Sequence, residues 1–279
     1  MSSILTNSSA MVALATLNNV NMKLNETQNR VSTGLQISSG KDNAAYFAIS
    51  ETMKGDSGMF ESINDGLTST KNSISTARLG AETVADLAQQ FTDRVAFAQG
   101  SGVNLTDVQA ELDSLVSQIG LAISQSTFNG EDLVSGAAAT VTVVSGVSRT
   151  GGTFAATTLS FSSVNLGAIQ TALDAVDVVT AGATSQAALQ ATLVTAEGQL
   201  SAAIDAATSL GVSEKTVEGQ QTFLSSLTDT LDSGVSSMVD AEMEAEAARL
   251  QALQVQQQLA TQSLSMANQS PQNIMSLFR

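Results

Sequence analysis

The chain has 279 residues, 43% of them hydrophobic but only 4% aromatic, with one proline, one tyrosine and no histidine, cysteine or tryptophan. Any core must therefore be built from Ala, Leu, Val and Ile, and disulfides, thiolate nucleophiles, zinc–sulfur sites, imidazole ligands and Ser-His triads are excluded. Of the net charge of −15, residues 1–60 contribute zero and residues 249–279 contribute +2, which leaves −17 on residues 61–248.

An acidic middle of that size repels nucleic acid and anionic lipid, so neither is expected as a partner. The near-neutral ends are where copies of the chain would meet least repulsion. The first basic residue is Lys23, and Asn7, Ser8, Ser9, Thr16, Asn18 and Asn19 interrupt the early apolar positions. That is not the pattern of a cleaved signal peptide. No apolar run approaches the roughly 18 residues that span a bilayer, so membrane insertion is not expected. The sequence fits a cytoplasmic protein or one exported by a route that cleaves nothing.

In chain order, the first element is a helix whose seam runs through Leu14, Leu17, Asn21, Leu24, Gln28, Val31 and Leu35, with a breaker at Gly34. Steps of three and four from Leu67 then land on Thr70, Ile74, Ala77, Ala81, Val84, Ala88, Phe91, Val95 and Ala98, the pattern of a coiled-coil seam. A third helix is expected after Asn104, with Thr106-Asp107 as cap residues and Leu105, Val108, Leu112, Leu115, Ile119 and Ala122 as its stripe.

Between residues 129 and 166 the periodicity changes. Asn129-Gly130 and Gly151-Gly152 are turn signals, and Thr140–Val143 and Thr158–Phe161 alternate with period two, which predicts a β-hairpin region. Gly182 and its small neighbours suggest a connector. The longest seam runs from Leu189 to Met238 through Leu224 and Leu231, broken only at Glu214, Gln221 and Thr228. At ~1.5 Å per residue those fifty or so residues would form a rod of roughly 75 Å.

The last helix carries two stripes: Leu250, Leu253, Ala260, Leu264 and Ala267 on one, Val255, Leu259 and Met266 on the other. An apolar arc that wide predicts cover on more than one side. Gln256-Gln257-Gln258 fits either buried amides bonded to one another or a solvated face. Glu242, Glu244 and Glu246 form an acidic cluster, but spacing by two does not bring them onto one helix face. They are expected to be a solvated helix start, and an enzyme is the remotest reading.

Several motifs resemble bacterial flagellins. Arg30–Ile37 followed by Ser38–Ala45 is similar to the family's R-L-S-T-G-L-R-I-N-S-A-K-D-D-A-A. Asn64-Asp65-Gly66 is similar to its N-D-G, and Thr127-Phe128-Asn129-Gly130 with Leu133 to its T-x-F-N-G-x-x-L. Asp240-Ala241-Glu242-Met243 and the run Ala267–Ile274 ending in Leu277-Phe278-Arg279 complete the likeness, which covers about residues 1–135 and 185–279.

The resemblance implies a mainly α fold: a long-helix rod with coiled-coil terminal segments, a helical bundle and a small mid-chain β-hairpin region. Residues 1–40 and 237–279 would form a discontinuous inner terminal coil, packed in the filament through Leu14, Leu17, Leu24, Val31, Leu35, Leu250, Leu253, Leu259 and Leu264. Residues 41–236 would form the rod, its seam including Leu67, Ile74, Val84, Phe91, Val95, Leu224 and Leu231, with hairpins at 129–166 and no added outer domains.

The implied function is a structural subunit of the flagellar filament, exported and assembled into a helical tube for swimming. It would need no cofactor or metal and have no enzyme activity. Its partners would be itself or sister flagellins, the flagellar export apparatus, an export chaperone and the filament cap. The competing readings are a hook–filament junction protein and a secreted coiled-coil adhesin or effector.

Two departures stand out. Tyr46 occupies a position where the family usually has Gly. Many flagellins also carry Q-R-V-R-E-L-A, which an animal innate immune receptor recognises. The matching stretch is Gln90–Ala96, where Phe91 and Asp93 replace the arginine pair and Arg94 replaces the glutamate.

Overall fold

The computed structural model describes residues 7–150 and 153–277. Its elements are α1 (Ser8–Thr33), α2 (Ala44–Ala98), α3 (Leu105–Gln125), β1 (Thr140–Thr150), β2 (Thr153–Ser162), α4 (Leu166–Asp174), α5 (Val178–Thr184), α6 (Gln186–Val239) and α7 (Met243–Leu277). The fold is mainly α, with one two-stranded antiparallel sheet among the described residues. Contacts divide the chain into two units, Met1–Ser57 with Asp229–Arg279, and Gly58–Thr228.

Helix α2 begins more than twenty residues before its recognisable seam. Asn43 starts it by accepting the amides of Ala45 and Tyr46 (3.1 and 3.2 Å). Its first turns bury Ser50 and Ser57 rather than large apolar side chains. Ser57 Oγ donates to Asp232 Oδ1 at 2.8 Å. Hydroxyls at inward positions carry no hydropathy signal, which hides this part of the helix from a periodicity reading.

The second unit is organised around the seam of α2. Leu67, Ile74, Val84, Phe91, Val95 and Leu224 are fully buried there, together with Ala77, Ala81, Ala88, Ala196 and Ala203. With one aromatic ring among them, the core depends on close helix approach, which the alanines permit. Arg78 fastens α2 to α6 at its edge: Nε donates to Glu214 Oε2 at 2.7 Å, and a terminal nitrogen pairs with Glu82. These bonds, Glu214 foremost, raise the Arg78 pKa further. Lys71 meets Glu218 at 2.6 Å and holds that carboxyl below its ordinary range.

Helix α3 is capped by Asn104 itself and not by Thr106-Asp107. The Asn104 side chain accepts the Thr106 amide at 3.1 Å, and its Nδ2 donates to Asp107 Oδ2 at 2.7 Å. An Ncap needs extended backbone and a short acceptor, and Asn104 supplies both (φ −79°, ψ 98°).

The connector after the sheet holds two short helices. Asn165 caps α4 by accepting from the Ala168 amide, and Asp177 caps α5 by accepting from Val179 and Thr180. The Thr180 hydroxyl and these amides lower the Asp177 pKa. Both helices are too short for a periodic signal. In the sheet, Val141 faces Phe161 and Val143 faces Leu159, and a bulge between Val144 and Gly146 interrupts the register. The Gly151-Gly152 turn signal lies outside the described residues. Gln220 of α6 donates to the Ser145 carbonyl at the bulge (2.7 Å).

Gly80 lies against the end of α3, where an added Cβ would fall on the Ser126 side chain. Gly80→Ala is therefore expected to destabilise the protein by about 1–3 kcal/mol through overpacking. Adding Ser126→Gly should recover most of that loss. A double-mutant cycle by urea denaturation measures both effects.

Candidate functional site

The pair of helices at the two chain ends is where a self-associating surface would lie. Helix α1 starts at Asn7, whose side chain accepts the Ala10 amide (3.1 Å) and donates to the Ala267 carbonyl of α7 at 2.8 Å. It stops at Gly34, whose φ of 73° places it in the left-handed region that glycine tolerates. The chain then meets the start of α7: Ala241 donates to the Gly34 carbonyl, and Gln36 to the Val239 carbonyl (2.8 and 2.7 Å). Ile37, Val235 and Val239 close a small core there, with Leu35, Phe47, Met53 and Met238 around it.

The seam between α1 and α7 differs from the predicted one in register. Val20, Leu24 and Thr27 are buried against Leu253 and Ala260, while Leu17, Val31, Leu35, Leu250 and Leu264 are half-buried. Leu14 and Gln28 face solvent, and Asn21 is only half-buried. The predicted and observed series share Leu17, Leu24 and Val31. Between them the helix turns in Val20 and Thr27, which are better buried than the amides Asn21 and Gln28.

The carboxyl-terminal stripes have different fates. The stripe through Leu250, Leu253, Ala260, Leu264 and Ala267 faces α1, while Val255, Leu259 and Met266 are exposed. The glutamine run matches neither expectation as a block. Gln257 is partly buried and donates to Asn21 Oδ1 across the pair at 2.7 Å, while Gln256 and Gln258 are exposed.

The acidic cluster requires a correction. Glu242 and Glu244 are exposed, but Glu246 is buried, with 7% of its surface accessible. It lies one turn before Leu250 and so faces α1. Its Oε1 accepts from Arg30 Nη1 (3.3 Å) and Arg249 Nη1 (3.2 Å), and Arg30 also bonds Glu26 (2.7 Å). Glu246 Oε2 is buried without a hydrogen-bond partner among the described residues.

Asp42, in the turn before α2, shows the value of its motif. A single carboxylate oxygen accepts from the amides and hydroxyls of Ser38 and Ser39 at 3.0–3.2 Å. The Ser38 amide leads these bonds in holding its pKa below the ordinary carboxylate value.

In the second unit, Phe91 is buried in the core while Asp93 and Arg94 lie on the surface. Asp93 accepts from Gln89 at 3.0 Å, and Arg94 pairs with Glu111 of α3 at 3.0 Å. Leu231 of the long seam is half-buried. Tyr46 is exposed at the start of α2. Among the described residues no cluster of acidic side chains is arranged to hold a metal, and no helix is long and apolar enough to cross a membrane.

The profile of the bacterial flagellin N-terminal helical region matches residues 4–139, and that of the C-terminal helical region matches residues 193–278. A flagellin of Brucella melitensis is 36% identical over 281 residues, covering all of both chains. The chain belongs to the bacterial flagellin family. Flagellin FljM of Caulobacter vibrioides is 33% identical across all of this chain and 99% of its own. Flagellin C of Rhizobium meliloti is 31% identical across the whole of both. A solved flagellar hook-associated protein of Vibrio parahaemolyticus shares the fold (TM-score 0.52, 14% identity, 72% of this chain and 99% of that one). This flagellin is a structural subunit of the flagellar filament, and its family self-assembles.

Two outcomes are expected of this flagellin's terminal pair. Glu246→Ala should weaken it by on the order of 2 kcal/mol, because Arg30 loses a partly buried partner; faster amide exchange along Val20–Thr33 would register the loss, and Glu246→Gln should lose less. The Asp42 turn should stay closed at every pH above 3.8 and open only as pH falls through the lower native value. The Ser38 and Ser39 amide resonances report that opening, and Asp42→Asn should abolish its pH dependence.

Proposed function

We propose that the α1–α7 pair is the filament-packing surface, with Leu14 and Leu259 on its outer faces, Leu17, Leu24, Val31, Leu250, Leu253 and Leu264 holding the two helices together, and Leu35 in the small core just beyond α1. The observation that carries this reading is the second apolar stripe. Met11, Val12, Leu14, Met22, Val255, Leu259 and Met266 are all exposed on helices that already have one partner. Covering seven such side chains would contribute on the order of 10 kcal/mol per subunit, enough to drive association while leaving a lone subunit soluble.

In this reading, residues 1–40 and 237–279 act as an inner terminal domain and residues 41–236 as a helical rod domain, fastened by the seam through Leu67, Ile74, Val84, Phe91, Val95, Leu224 and Leu231. The protein acts as a building block and not as a catalyst. It leaves the cell through the flagellar export apparatus without a cleaved signal peptide, escorted by an export chaperone, and adds beneath a filament cap. A hook–filament junction role fits less well, because the relatives that match along the whole chain are flagellins.

Deletion of residues 1–30 or of residues 250–279 tests the surface. Each truncated protein should remain soluble and helical, and neither should extend filament seeds under electron microscopy. Extension by either one would show that assembly uses another surface. We further infer weak recognition by the animal flagellin receptor, because Phe91 and Asp93 stand where the recognised motif has arginines, and Arg94 where it has glutamate. A reporter-cell assay should give activation well below that of a motif-bearing flagellin; equal activation overturns the inference.

A further inference from the structure

The outer stripes of the terminal pair are rich in one oxidisable side chain. Three of their seven exposed residues are methionines: Met11 is 66% exposed, Met22 62% and Met266 61%. Met11 and Met22 are three helical turns apart, so they share the face of α1 that points away from Val20 and Leu24. Met266 continues the α7 stripe of Val255 and Leu259. By contrast, Met53, Met59 and Met238 are half-buried, and Met243, 45% exposed at the start of α7, lies on a different face from Met266. The chain has no cysteine and no tryptophan, so methionine is its main target for two-electron oxidants.

We propose that Met11, Met22 and Met266 are oxidation sites through which peroxides stop free subunits from polymerising. The inference rests on the reading of these stripes as the packing surface. In the step itself, a lone pair on the thioether sulfur attacks one peroxide oxygen. The S–O bond forms as the O–O bond breaks, sulfur loses two electrons, and the leaving hydroxide takes the proton to become water. The product is a sulfoxide, polar and chiral where the thioether was apolar and flexible. Docking would then have to desolvate a strong acceptor that meets only apolar neighbours. Subunits already in a filament have the stripe covered and are protected, so the reaction discriminates free from assembled protein. Enzymatic reduction of the sulfoxide reverses it.

The test treats full-length monomer with hydrogen peroxide, maps sulfoxides by peptide mass spectrometry, and measures the critical concentration for extending seeds. Met11, Met22 and Met266 should oxidise before Met53, Met59 and Met238 in monomer and be protected in filaments. The critical concentration should rise at least about tenfold, as one poorly satisfied polar group per subunit would require. Methionine sulfoxide reductase should restore it. The triple variant Met11→Leu, Met22→Leu, Met266→Leu, which conserves volume, should polymerise equally well before and after peroxide.

Unchanged polymerisation of fully sulfoxidised protein overturns the proposal, and so does equal inhibition of the triple variant. Oxidation of the half-buried methionines as fast as the three exposed ones overturns the site assignment without reference to assembly, which keeps the proposal testable if the variant misfolds. Extension of seeds by protein lacking residues 1–30 or 250–279 would instead count against the packing surface.

Discussion

Two helices lying side by side can cover one stripe on each other and no more. Helices α1 and α7 both carry apolar residues around more than one stripe, so their pairing is satisfied while their outer faces are not. Much of the chain's organisation follows from that constraint. The covered stripe is modest: Val20, Leu24, Leu253 and Ala260, with Thr27, Asn21 and Gln257 between them. Polar interruptions weaken the pair as an isolated object, since helices draw most of their stability from packing. They also fix its register, because Gln257 can reach Asn21 in only one alignment. A filament subunit benefits from this combination of a defined but weak pair and a hungry exterior.

The acidic second unit follows a different logic. Its core is built mainly from Leu, Ile and Val, with alanine at six of the buried positions where helices approach closely. Ion pairs such as Arg78 with Glu214 and Lys71 with Glu218 lie at the edge of the helix contact and not in the core. They cost little desolvation there, and they offset part of the mutual repulsion that a strongly negative surface imposes.

How much of this could be read from the sequence depended on which side chains faced inward. Where they were Leu, Ile, Val, Phe or Ala, as from Leu67 to Ala98, the period of the helix was plain. Where they were Ser50 and Ser57 the helix continued unannounced, because a buried hydroxyl satisfied by Asp232 looks like surface polarity in a hydropathy pattern. Helices α4 and α5 were hidden by shortness, although Asn165 and Asp177, each followed by an apolar pair or run, are cap signals that a reading of residue type could have used. Glu246 was misplaced for a subtler reason. Its spacing from Glu242 and Glu244 described their relation to one another correctly, but its phase relative to Leu250 put it on the buried side. In the terminal pair, the heptad reading chose Asn21 and Gln28 where the structure turns Val20 and Thr27 inward; two adjacent registers share three residues, and only the partner helix decides between them. The motif residue Asp42 could be recognised by resemblance, yet its work of gathering four donors onto one oxygen is visible only in three dimensions.

The closing of Arg30 onto Glu246 spans 216 residues of chain, which has a bearing on the order of folding. Contacts so distant are the slowest to form, since the entropy of loop closure must be spent before they reward it. The second unit brings its own ends together: Asn64 bonds Ser225 across 161 residues, within that unit. Once it has formed, the effective loop between Arg30 and Glu246 shrinks to a few tens of residues, worth about 1 kcal/mol of closure entropy. Loop-closure entropy thus favours forming the terminal pair after the second unit. In a chain whose two ends form the adhesive part, that sequence of events delays stickiness until the rest of the molecule is already committed to its shape.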